Sequence, residues 1–213
     1  SHTGALTGSD RVVDAGFEAV GVVRVDDLDE LADTATFLAR TPSPSASGVA
    51  VYAMSGGSCS LLADQLSVAG LDVPRLSKAT RSALRERVAE FLPVDNPVDC
   101  SGPPMADHRG REILDLLAED PAIGCVVAAV SGAVPPYTDR LVSDLIAAAD
   151  AHPTVAFALV WGSPHVADAT FDAAQRDPRV ATFRTGRAAA RALAAWQRWH
   201  AGSGSVTGVP ALS

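Results

Sequence analysis

The chain has 213 residues, 47% hydrophobic and 20% charged, with a formal net charge of −8. This composition is neither disordered nor membrane-like, and its length suits one large domain, or one domain with part of a neighbour. The acidic balance, with no long Lys/Arg block, argues against nucleic acid or an anionic membrane surface as the main partner, while leaving room for a local site that holds a small phosphorylated ligand.

Residues 10–20 suit a helix with Val13, Phe17 and Val20 on one side. "GVVRV" (21–25) has the pattern of a short buried strand. "DDLDELADTATFLAR" opens with an aspartate at the N-cap position and places Leu28, Leu31, Ala35 and Leu38 on one stripe. "TPSPSASG" (41–48) reads as a Pro/Ser linker. The first forty residues thus predict helix–strand–helix, too little for a core of their own, and resemble the closing part of a domain. The chain opens with Ser1 rather than Met, and is expected to be a piece of something longer.

From residue 49 the pattern alternates. A strand over 49–54 leads through "SGGS" into a helix ending near Ala69, and "DVPRL" (72–76) reads as a brief strand. Ser77 caps a helix carrying Thr80, Leu84, Val88 and Phe91. "NPVDCSGPP" reads as a loop, and Asp107 caps a helix to about Leu117. "IGCVVAAV" (123–130) and "TVAFALV" (154–160) are buried strands; a helix over 137–150 between them turns Leu141, Leu145 and Ala148 inward. A helix to about Arg176, the strand "RVATF" and a final helix capped by Thr185, with Ala189, Leu193 and Trp196 together, complete the series.

Near-continuous apolar strands separated by helices predict a parallel sheet covered on both faces: a doubly wound, flavodoxin-like α/β domain over roughly 47–200. Ligands of such folds bind at the carboxyl ends of the strands. The segments expected there are 55–58, 96–102, 130–136 and 161–165. The tail "AGSGSVTGVPALS" (201–213) reads as linker toward another module.

Four features bear on chemistry. "SGGS" is neither a G-x-G-x-x-G fingerprint nor a P-loop, since no Walker lysine follows. It is either a helix N-terminus presenting N–H groups to a phosphoryl group or a tight turn needing positive φ. His2, in "SHTGALTGSD", lies on a polar, pliable stretch that suits a nucleophile or proton carrier, and equally a residue left by cloning. Cys59, Cys100 and Cys125 are odd in number and widely spaced, so they read as reduced thiols of a cytoplasmic protein, with Cys59 a small buried residue. His108, His152, His165 and His200 form no ligand-spaced cluster, no G-x-S-x-G elbow follows any strand, and neither a metal site nor a signal peptide is expected.

Together "SHTGALTGSD", "GVVRVDDLDELADTA", the Pro-rich linker, "SGGSCSLLAD", "NPVD" at 96–99 and "TGRAAARALAAWQRW" resemble the NDP-forming acyl-CoA synthetases, relatives of succinyl-CoA synthetase. The resemblance runs through the whole chain, in order. It implies that residues 1–42 close one CoA-ligase domain, that 47–200 form the next, flavodoxin-like one, and that 201–213 lead onward. It implies a reversible conversion of acyl-CoA, phosphate and ADP or GDP into a carboxylic acid, CoA and the nucleoside triphosphate, with His2 as the transient phosphoryl carrier.

Gly56, Gly57 and the helix starting at Ser58 would then hold the phosphoryl group of that histidine, with phosphate expected near the N–H groups of Gly57, Ser58 and Cys59. CoA, ATP/ADP with Mg, and a small carboxylic acid would be substrates of the whole enzyme, none tightly bound to this piece. CoA-binding and ATP-grasp domains, on the same or another chain, would be partners in an expected homo-oligomer. The different-class alternative is a regulatory module that senses acyl-CoA or phosphate without chemistry, as in relatives fused to protein acetyltransferases; a plain interaction domain is a third reading.

Overall fold

The computed structural model describes residues 10–101, 107, 109–165 and 168–203. Two helices, α1 (Asp10–Ala19) and α2 (Leu28–Arg40), precede five strands: β1 (Gly48–Ala53), β2 (Val98–Asp99), β3 (Ile123–Val130), β4 (Ala156–Trp161) and β5 (Val180–Phe183). All pair in parallel, in the order β2-β1-β3-β4-β5, the doubly wound, flavodoxin-like arrangement. Between and after them lie α3 (Gly56–Val68), α4 (Lys78–Arg85), α5 (Arg109–Ala118), α6 (Tyr137–Ala151), α7 (Ala169–Arg176) and α8 (Gly186–Ser203).

The pleat sends alternate residues to two separate cores. Ala50, Tyr52, Val126, Ala128, Phe157 and Leu159 meet α4 to α7 on one face. Val49, Val51, Val127, Ala156, Ala158 and Ala181 meet α2, α3 and α8 on the other. The alanines on this second face let α8 approach closely with its own Ala189, Ala190 and Leu193, all buried. The inward residues expected on α6 and α8 are indeed buried, and Ser77 and Thr185 accept the N–H groups of Thr80 and Ala188 at 3.1 Å each.

Three segments depart from the sequence expectation. "GVVRV" forms no strand: Val22 is half exposed, and among the described residues no neighbouring strand lies beside it to complete hydrogen bonds. "DVPRL" contributes only an isolated bridge between Asp72 and Gly48, whereas Val98 and Asp99, inside the expected loop, form the edge strand β2. Asn96 explains the exchange. Its Oδ1 accepts the N–H of Val51 at 2.9 Å, and its Nδ2 donates to the carbonyls of Val49 (2.8 Å) and Pro74 (3.1 Å). One side-chain amide thus stands between β1 and the 72–76 segment and takes the ladder bonds a strand there would need.

The apolar faces of the early helices also differ. Asp27 caps α2 as expected, accepting the N–H of Glu30 at 2.8 Å, but Leu28 is 80% exposed. Thr34 and Phe37 are buried instead, Phe37 lying 5.9 Å from Phe183 and 5.5 Å from Trp196. The linker is pinned to α8, with Trp196 Nε1 donating to Pro42 and Gln197 Nε2 to Ser47. Val13 and Phe17 share α1 but remain exposed, and Val20 falls in the turn after it, exposed as well; Phe91 is exposed because α4 ends at Arg85 before its stripe reaches that position.

Candidate phosphate site at the carboxyl edge

β1 ends at Ala53, and Ser55, in extended conformation, is the N-cap of α3. The helix therefore begins at Gly56, two residues before the expected Ser58. The positive-φ reading of the glycine pair is corrected too: among the described residues only Gly21 and Gly70 have positive φ, and Gly56 and Gly57 are helical. The carbonyl of Ser55 accepts the N–H of Cys59 at 2.9 Å, so Cys59 has no free donor to offer. The N–H groups of Gly56, Gly57 and Ser58 have no partner among the described residues. Gly56 and Gly57 are exposed and Ser58 is half buried, leaving room above the turn. No side chain caps this end and no acidic residue lies in its first turn, so α3 keeps about half a positive charge there.

The register Ala53↔Asp99 brings Asp99 beside the same turn. This carboxylate is 9% exposed; its Oδ1 accepts the N–H of Ser101 at 2.9 Å. Its Oδ2 points toward α3 and stands 3.0 Å from where a Gly56 side chain would begin. Cys59 Sγ donates to the carbonyl of Val98 at 3.4 Å; burial, with a smaller contribution from Asp99, pushes this thiol up to about 12. Burial likewise lifts Cys100 to about 12 and Cys125 upward, so all three thiols stay protonated at neutral pH.

The "NPVD" stretch, whose residues had no individual role at the sequence level, divides its work. Asn96 builds the sheet, Val98 fills the core and Asp99 faces the glycine turn. Of 96–102, only the end from Asp99 to Ser101 reaches the carboxyl edge in the described residues. The 161–165 loop is braced rather than open: Trp161 Nε1 donates to the carbonyl of His165 at 2.9 Å and Arg184 donates to that of Ser163 at 2.8 Å. In 130–136, Thr138 Oγ1 accepts the N–H of Val134, which fixes the loop before α6. His2 lies outside the described residues, as do His108 and most of the loop after Ser101.

A family described as "Succinyl-CoA ligase like flavodoxin domain" matches residues 1–38. A 4-hydroxybutyrate–CoA ligase (ADP-forming) of Nitrosopumilus maritimus is 34% identical over 133 residues, which cover 60% of this chain and 18% of that enzyme. The α subunit of acetate–CoA ligase (ADP-forming) II from Pyrococcus furiosus is 32% identical over 143 residues, covering 63% of this chain and 30% of the subunit. Over about 60% of its length the chain is similar to ADP-forming acyl-CoA ligases. It spans less than a third of either of these two relatives. Two solved structures share the fold. A dinucleotide-forming acetyl-coenzyme A synthetase of Ca. Korarchaeum cryptofilum, solved with phosphate and ADP, superposes on 98% of this chain and 45% of its own, with a TM-score of 0.79 at 18% identity. A protein of Pyrococcus horikoshii covers 92% of this chain and 45% of its own, with a TM-score of 0.80 at 22% identity. Among the described residues no helix is long and apolar enough to cross a membrane.

Proposed function

We propose that this chain supplies the phosphohistidine segment and one phosphate-holding helix of an NDP-forming acyl-CoA synthetase. Residues 1–42 would close one CoA-ligase domain, 47–200 form the next, and 201–213 lead toward a further module. The observation that carries the reading is the N-terminus of α3: three N–H groups, unpartnered among the described residues, at the carboxyl edge of a parallel sheet, in a chain similar to ADP-forming ligases. The whole protein would interconvert acyl-CoA, phosphate and ADP with a carboxylic acid, CoA and ATP. Attack of phosphate on the acyl thioester releases CoA and leaves an acyl phosphate. Its phosphoryl group passes to His2, releasing the carboxylic acid, and then to ADP.

In this sequence of steps α3 would hold the phosphoryl group on His2. Oriented backbone donors and the helix dipole stabilise its negative oxygens without reorganisation, and small residues keep the approach open. CoA and the nucleotide with its Mg are substrates that CoA-binding and ATP-grasp domains would bring, within an assembly expected to be a homo-oligomer. Three cysteines that form no disulfide would suit a cytoplasmic setting.

The test is phosphoenzyme formation by the natural protein with γ-labelled ATP. An acid-labile, base-stable label that His2→Ala abolishes is the expected result. No label in the wild type, with nucleotide binding intact, would overturn the synthetase reading in favour of a sensing module.

A further inference from the structure

The N–H groups of Gly56, Gly57 and Ser58 offer three donors at the start of α3, and beside them stands an acceptor. Asp99 is nine-tenths buried, and only its Oδ1 is engaged, by Ser101. Oδ2 receives no hydrogen bond among the described residues, although it faces the first turn of the helix. A partly buried carboxylate repels a fully ionised anion placed against it. The conflict disappears if the ligand brings a hydrogen, because a short O–H···O⁻ bond then replaces repulsion. Donors and acceptor together therefore describe a ligand with several acceptor oxygens and one O–H.

We infer that the α3 turn selects a protonated phosphoryl group, its O–H donated to Asp99 Oδ2 and its remaining oxygens accepting from Gly56, Gly57 and Ser58. The inference rests on the phosphate reading of this turn and adds the protonation state of its ligand. It makes Asp99 a specificity residue: sulfate has the same shape and oxygens but carries no proton near neutral pH. Among the described residues Cys59 on α3 and Cys100, just after β2, are the titratable groups facing Asp99. Both thiols stay neutral in this range, and no lysine or arginine pairs with Asp99 among the described residues.

The experiment is an NMR titration of the protein, following the amides of Gly56, Gly57 and Ser58 with inorganic phosphate and separately with sulfate. Phosphate is expected to bind at least about tenfold more tightly than sulfate. Its affinity should fall as pH rises past its second ionisation, approaching about tenfold per pH unit, as the protonated ligand is depleted. Asp99→Asn, which keeps an acceptor for Ser101, should admit sulfate about as well as phosphate and flatten the pH trend.

Equal binding of both anions by the wild type, or an unchanged ratio in Asp99→Asn, would overturn the inference while leaving the phosphate site standing. Amides that respond to neither anion would remove the site itself, and the inference with it. If Asp99→Asn does not fold, the wild-type anion ratio and pH trend decide alone, with Asp99→Ser as a second variant.

Discussion

Gly56 and Gly57 are neighbours in one helical turn but answer to different constraints. A side chain at Gly57 would meet nothing closer than Ser55 Oγ at 3.7 Å, and its backbone is already helical. Gly57→Ala should therefore raise stability, by about 0.5 kcal/mol, through lower unfolded-state entropy, as a thermal melt would register. At Gly56 the new methyl would press on Asp99 Oδ2 at 3.0 Å. Gly56→Ala is expected to weaken the phosphate response of the turn while leaving the melting temperature within a few degrees. An unchanged phosphate titration would separate Asp99 from the site.

Asn96 is a third case, since its three hydrogen bonds are structural. Asn96→Ala leaves the N–H of Val51 and two carbonyls without partners, and should cost about 2–3 kcal/mol in denaturant unfolding. Beside it, burial opposes ionisation of Asp95. The N–H of Leu76, the guanidinium of Arg75, the N–H of Asn96 and Arg81 outweigh that and hold its carboxyl below the usual range. A depressed pKa stabilises the fold above the unfolded value of about 3.9, and that stability is lost as pH falls through the folded value. Asp95→Asn should thus be less stable than wild type at neutral pH, with the gap closing below about pH 4.

Among the elements, β1, β3, β4 and β5 were legible because long apolar runs in a parallel sheet need no partner-specific signal. β2 was not: two residues carry no periodicity, and Asn, Pro and Asp around them have turn chemistry. The same asymmetry misplaced the stripe on α2. Period alone could not say whether its leucines or Phe37 would face inward, and the deciding partners, Phe183 and Trp196, lie about 150 residues away. Within the site the glycine pair was visible, whereas Asp99 acquires its position only through the register of β2 on β1. Phe37 is the anchor of α2, so Phe37→Ala should cost about 3–4 kcal/mol. Amide exchange in α2 should accelerate more than in β3, and equal acceleration in both would show that α2 does not detach locally.

For the whole molecule, the two cores share the central strands, and among the described residues α1 adds no side chain to either; Asp14 pairs with Arg24 at 2.7 Å and the Val22 N–H donates to the Phe17 carbonyl at 2.8 Å. Removal of residues 1–26 is accordingly expected to leave the melting temperature within a few degrees of the parent. A drop well beyond that would show that α1 is integral to the fold.

The sheet's two margins have a consequence for solubility. An open strand edge is a template on which another chain can pair and begin to aggregate. Here one margin is β2, two residues long and preceded by Pro97, which has no N–H to offer. At the other, the Arg40 guanidinium of α2 already occupies the carbonyl of Val180 at 3.1 Å. A chain with 47% apolar residues thus limits the backbone it offers to its own copies, and α2, beyond any part in binding, guards one side of the sheet against fibrillar stacking.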